Sequence, residues 1–280
     1  MKLPRPVAIS RSRNQELCPF LKRIADQMGD SVRESIERDL KKLERRGIRN
    51  RTSLKKLLET LPERELSTAL WVLGRAGKRS DVSKILVIRR IRPKAAVYAI
   101  EALAILGGKH ARRELVRSLN DQTQPLNVRV AACHGLGHHW RGKVRASIFY
   151  PIVSNPGENA SLRGYAIESV GGRIGLRAPG AARSESRKAV DLLFPCLDDQ
   201  FAEVRFWAIF ALAGAKAKQA LPKLRQLARM DHADGPFGWS VAEEAKDAVY
   251  CQTHNGRWPK VDASERRLRA MSTTVGKESS

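Results

Sequence analysis

The feature that most constrains this chain is a short signature that recurs in register. An alanine is followed at its third position by a usually small residue, at its fourth by Leu or Val, and at its fifth by Gly or Ala. It occurs as Ala69/Leu73/Gly74, Ala99/Leu103/Ala104, Ala132/Leu136/Gly137, Ala166/Val170/Gly171 and Ala208/Leu212/Ala213, at intervals of 30, 33, 34 and 42 residues. A weaker sixth copy is centred on Ala245, between Val241 and Val249. Recurrence at such a period marks stacked supersecondary units. Within one copy, Val204, Ala208, Ala211 and Leu212 share one helical face. A second apolar helix follows most copies, through Val82/Ile85/Leu86, Leu115/Val116/Leu119, Val144/Ile148/Ile152, Val190/Leu193/Leu197 and Leu221/Leu224/Leu227. One such pair cannot bury both of its faces. Alanine and glycine let the next helix approach closely, leucine fills the seam, and a stack of pairs buries one continuous core.

Local signals set the boundaries. Residues 1–28 carry Pro4, Pro6 and several arginines without periodicity, and read as a flexible basic arm that docks at most near Leu17–Leu21. Residues 29–62 read as a helical cap. Ser31 and Glu34 fit a capping box, Val32, Ile36, Leu40 and Leu43 form a stripe, and Gly47 suits the helix end. A second cap helix is expected from Ser53, with Leu54, Leu57, Leu58 and Leu61 inward. The repeat array spans 63–252, and a polar tail spans 253–280. Asp198 or Asp199 is expected to cap the helix that follows, and Pro222 to sit in the first turn of its partner. The 42-residue interval holds an insertion, Gly171–Ser184, with Arg173, Arg177 and Arg183. It reads either as a longer turn or as a cationic finger.

The stretches VRFWAIFALA, NVRVAACHGLG and SLRGYAIESVG, within about residues 63–252, resemble the HEAT-repeat superfamily, and most closely the HEAT-like repeats of the phycobilisome-lyase type. The resemblance implies an all-α fold, an α-solenoid (superhelix) of about five to six HEAT-like helix pairs. In that class the first helices usually form the convex side and the second helices line the concave side. It implies little about activity, because function lies in sites carried by the fold.

Charge then carries the functional reading. Lys and Arg number 52 against 29 Asp and Glu, a formal net charge of +23. Such an excess concentrates polyanions at the surface. Basic residues cluster in the cap (Arg45, Arg46, Arg49, Arg51) and on second-helix segments (Arg112, Arg113, Arg117; Lys143, Arg145; Arg187, Lys188; Lys223, Arg225, Arg229). Together with Arg173 and Arg177 these are the expected polyanion contacts, set along a cationic concave surface. Arg129, Arg163 and Arg205 each belong to an apolar–Arg pair just ahead of the motif alanine, and read instead as repeat-to-repeat ion pairs.

The expected function is a non-enzymatic binding scaffold for nucleic acid or a nucleic-acid-associated complex. The alternatives are an adaptor for an acidic protein and, further off, a DNA glycosylase or bilin-lyase-like enzyme. Deoxyhypusine hydroxylases, which resemble this fold, bind iron through His-Glu pairs, and no His-Glu dipeptide occurs here. HEAT-like alkylpurine glycosylases use a tryptophan with an acid, and only Trp239 with Glu243 imitates that spacing. Cys133, His134, His138 and His139 form the one metal-like cluster, but third and fourth ligands are missing, so neither metal nor cofactor is expected. Trp71 and Trp207 read as packing residues, whereas Trp140 lies at a turn beside Arg141. No apolar run spans a bilayer, no secretory signal is visible, and Cys18, Cys133, Cys196 and Cys251 are scattered, which together suggest a cytoplasmic protein without a membrane partner.

Overall fold

A computed structural model describes residues 17–26, 30–140, 144–174 and 183–259. The described segments are largely helical, with no strand among them. In chain order they are α1 (Pro19–Ala25), α2 (Asp30–Arg45), α3 (Arg51–Leu57), α4 (Glu63–Ala76), α5 (Val82–Ile91), α6 (Ala96–Leu106), α7 (Lys109–Asn120), α8 (Leu126–His138), α9 (Tyr150–Val153), α10 (Ala160–Ile174), α11 (Arg183–Leu193), α12 (Ala202–Gly214), α13 (Leu221–Met230) and α14 (Val241–Thr253). The chain forms two compact units, residues 1–102 and 103–280, and the division falls inside α6.

In the first unit the expected arm is in part a helix. Pro19 opens α1, where its missing N–H costs nothing, and Leu21, Ile24 and Ala25 are buried. On α2, Leu40 and Leu43 are fully buried, and Gly47 (φ +82°) takes the left-handed turn that ends the helix. The Ser31–Glu34 box falls among side chains that are not described. Helix α3 starts two residues earlier than its leucine pattern suggests. Asn50 accepts the Ser53 amide (2.9 Å) while the Ser53 hydroxyl accepts the Asn50 amide (3.1 Å), a reciprocal cap. Leu54, Leu58 and Leu61 point inward, and Leu57 is half-buried.

In the second unit the signature helices α8, α10, α12 and α14 pack in succession, each on the next. Their cores are equivalent: Val128/Ala132/Leu136, Leu162/Ala166/Val170 and Val204/Ala208/Leu212 are all buried. The small residues are explained by one recurring contact. A Cβ built on Gly137 would lie 2.2 Å from Ser169 Oγ, and one on Gly171 would lie 2.6 Å from Ala211 Cβ. A Cβ on Gly135 would lie 2.6 Å from Ala104 Cβ, and, in the first unit, one on Gly74 would lie 3.0 Å from Ala102 Cα. In all four cases the fifth position of one copy meets the third position of the next, and one partner of each pair is glycine. Backbones this close leave room for only one methyl.

Three expectations change. The second helix through Val144, Ile148 and Ile152 is reduced to a 3₁₀ turn (Ala146–Ile148) and the four-residue α9. Pro151 is the reason, because it cannot donate an amide and its ring excludes the carbonyl four residues earlier. Pro195 likewise ends α11 at Leu193 in favour of a 3₁₀ segment, Phe194–Asp198. Finally, α12 starts after Phe201 without a side-chain cap. Asp199 Oδ1 instead accepts the Phe201 amide (3.0 Å), and Asp198 pairs with Lys223. Pro222 does stand in the first turn of α13.

Candidate polyanion-binding surface

The recurrent arginines settle into a ladder on the second unit. Arg129 Nη1 donates to Glu158 Oε1 (3.0 Å), Arg163 Nη1 lies 2.7 Å from Asp199 Oδ2, and Arg205 Nε donates to Asp231 Oδ2 (2.6 Å). Each also donates to a backbone carbonyl: Arg129 to Leu119 (3.1 Å), Arg163 to Val153 (3.4 Å) and Arg205 to Asp199 (2.8 Å). The acids stand in the segments just ahead of α10, α12 and α14, so each rung ties one copy to the next. Burial opposes the charge on Glu158 and Asp231, yet the arginine bonds hold both carboxyls below their ordinary values. These arginines belong to the fold, as their recurrence implied.

Arg173 joins them and leaves the surface set. It is buried at 8% exposure, and its guanidinium donates to the carbonyls of Val144 (2.9 Å), Ser169 (2.6 Å) and Leu136 (2.6 Å). It occupies the seventh position of its copy, where α14 carries Gln252, and Gln252 donates to the equivalent carbonyl, Leu212 (3.5 Å). The stretch read as a longer turn or a cationic finger therefore begins with the last turn of α10, which runs to Ile174. Arg177 and Lys143 lie outside the described residues.

The remaining second-unit cations stand in solvent. Arg112, Arg113 and Arg117 on α7, Arg187 and Lys188 on α11, Arg225 and Arg229 on α13, and Arg145 are all at least partly exposed. Arg112, Arg145, Arg187, Lys188, Arg225 and Arg229 form no ion pair with any described residue. Arg113 contacts His110 Nδ1 (3.2 Å), and Lys223 is half-buried against Asp198. Over α7, α11 and α13 the sequence holds ten basic residues against three acidic ones. Positive potential is thus concentrated on these helices.

In the first unit the cap cluster is divided. Arg45 and Arg49 are exposed, and Arg45 Nε donates to the Lys41 carbonyl (3.4 Å). Arg46 is 3.9 Å from Glu65. Arg51 turns inward toward Asp81 (3.5 Å), which Lys55 also meets at 3.0 Å. Asp81 is fully buried. Desolvation alone would raise its carboxyl, but the Lys78 amide, Lys55 and Arg51 outweigh it and hold the carboxyl low. Arg51 is therefore a partner of a buried acid, and Arg45 and Arg49 are the open cations of the cluster.

The chemically suggestive groups are placed otherwise. Burial pushes the Cys133 thiol up to about 12, so it is neutral at physiological pH. The rings of His134 and His138 lie tilted against each other with centroids 4.2 Å apart, burial lowers His134, and His138 Nε2 is 3.4 Å from Glu168 Oε1. Among the described residues no group of three side chains is disposed to hold a metal. Glu243 accepts the amide (2.8 Å) and hydroxyl (2.9 Å) of Ser240, the cap of α14, which gives it a structural task. Trp140 is buried and donates to the Ala104 carbonyl (3.1 Å). All four cysteines are free and buried. No described helix is long and apolar enough to cross a membrane.

Compared with known proteins, the sequence matches no family model and no curated protein.

Proposed function

We propose that this chain is a HEAT-like α-solenoid scaffold that binds nucleic acid through the phosphate backbone, using the exposed cations of its second helices. The observation that carries the reading is the set of solvent-facing side chains Arg112, Arg145, Arg187, Lys188, Arg225 and Arg229, which form no ion pair with any described residue. The solenoid part is supported by the constant contact register between copies and by the Arg129, Arg163 and Arg205 rungs. Cations that have no acid to satisfy attract phosphates and release their counterions. Nothing in the set forms an element shaped to read base edges, so binding is largely independent of sequence.

Fluorescence anisotropy with labelled single- and double-stranded DNA and RNA tests this. The expected result is binding at low salt whose affinity falls linearly on a log–log plot against salt, by about 0.7–0.9 in slope per phosphate neutralised. No affinity for any of the four at low salt defeats the proposal. An acidic protein on the same cations is the second reading. It is favoured if partners captured by the protein persist after nuclease treatment.

A further inference from the structure

The solvent side of α8, α10 and α12 presents no free Lys or Arg in a chain of charge +23, because Arg129, Arg163, Arg173 and Arg205 are all engaged. It presents His134, His138, Tyr165, Glu168, Glu203 and Phe210 instead. Ser161 Oγ donates to Glu203 Oε2 (2.7 Å). The Tyr165 hydroxyl is pushed up by burial first and then by both Glu168 and Glu203, so the two carboxylates bear on one patch. Beside them Trp207 packs edge-on against Phe210, with centroids 5.8 Å apart.

The end of the described chain runs into this patch. Gln252 bonds to the Leu212 carbonyl, which sets the end of α14 level with the last turn of α12. Asn255 (φ 55°) and Gly256 (φ 85°) then reverse the chain, and Trp258 stacks on Phe210 at 5.6 Å. Trp258 thus lies over Phe210, which precedes Leu212 by two residues on α12. Glu203 stands about 10 Å from Phe210 along the axis, toward the N-terminal end of the helix. Residues 260–280 are outside the described residues. They hold Lys260, Arg266, Arg267, Arg269 and Lys277 against Asp262, Glu265 and Glu278. From Trp258, two extended residues cover about 7 Å, and the lysine side chain spans the rest of the way to Glu203.

We propose that residues 260–271 dock back onto the solvent side of α12 and α10, with Trp258 as anchor, Lys260 against Glu203, and Arg266 and Arg267 against Glu168. The chain's own cations then neutralise its acidic face, and an aromatic floor receives the backbone between them. The occupant is chosen by where Trp258 leaves the chain and by the sign of the charge on each side.

Carbodiimide cross-linking of the full chain, mapped by mass spectrometry, tests the contact. The expected product is a zero-length link between Lys260 and Glu203 that disappears in Glu203→Gln. Hydrogen exchange on the full chain gives a second measure. Amides of 261–269 should exchange about tenfold more slowly than in a synthetic peptide of the same sequence, and return to the peptide rate in Glu168→Gln/Glu203→Gln. The control Arg112→Gln/Arg225→Gln should leave that protection intact. Peptide-like exchange in the unsubstituted chain overturns the proposal, as does a Lys260 link only to other acids. Links that form between isotopically light and heavy copies, in place of links within one copy, overturn it too.

Discussion

Within residues 103–280 the two kinds of helix divide the work of charge. Helices α8, α10 and α12 contain four arginines, and every one is tied to a carboxylate or to backbone carbonyls of a neighbouring segment. Helices α7, α11 and α13 hold ten basic residues, most of them standing in water. The same side-chain type is a rivet on one set and a surface charge on the other. Its partners decide which, and a count of arginines conceals the difference. Substitutions on the two sets should therefore fail in opposite assays.

The largest effect is expected at the ladder. Arg163→Ala leaves the largely buried Asp199 without its cation, and urea unfolding should show a loss of about 3 kcal/mol. Nucleic-acid affinity measured well below the unfolding transition should change little. If Arg163→Ala is as stable as the parent, the arginines of the two sets are not different in kind. The next effect is steric. Gly171→Ala places a methyl against Ala211 and should cost about 1–3 kcal/mol, with Ala211→Gly restoring part of the loss in the double variant. Additive losses would show that the two positions do not share one contact.

Smaller effects sharpen the other side. Arg112→Ala with Arg225→Ala should leave stability within about 0.5 kcal/mol, weaken nucleic-acid binding, and flatten the salt slope by roughly one unit for each phosphate no longer neutralised. A change in affinity without a change in slope would mean that these residues do not meet phosphates. The paired carboxyls of both units also predict acid sensitivity. The carboxyls of Asp81, Glu158 and Asp231 are held below their unfolded values, so their contribution is present above the unfolded pKa and is lost as pH falls through the folded one. Unfolding free energy should hold from neutral pH down to the ordinary carboxylate range and drop below it, and the part due to Glu158 should vanish in Glu158→Gln. The smallest signal is chemical. Cys133 is buried with its thiol pushed up to about 12, so iodoacetamide at pH 8 should leave it unmodified until the chain unfolds.

Much of this architecture is legible in the sequence because packing repeats itself. The Ala/Leu/Gly spacing locates each signature helix, and Arg129, Arg163 and Arg205 announce themselves by recurring at one position. The acids that receive them are equally visible, one ahead of each following helix, but an acid in a loop has no periodicity until the fold supplies its partner. Arg173 shows the reverse. In sequence it sits among glycines and alanines and looks like part of a loop, yet α10 continues through it and points it at the Leu136 carbonyl. Gln252 at the matching position holds the missing signal, because two different donors serve equivalent carbonyls, Leu136 and Leu212. Arg51 resembles a surface cation for a similar reason. Its companion Asp81 is thirty residues away, just ahead of α5, and only the folding of the first unit brings them together. The short α9 follows from Pro151, a local stop that apolar spacing alone does not register.

The meeting of fifth and third positions has an evolutionary corollary. A unit whose trailing rim fits the leading rim of its own duplicate can be copied, lost or transplanted without redesigning the neighbours. The 42-residue interval illustrates such tolerance: the additional residues lie elsewhere in the copy, and Gly171 still meets Ala211. At these four joints it is thus the size of one side chain, and not the number of residues between signatures, that sets how closely two helices approach.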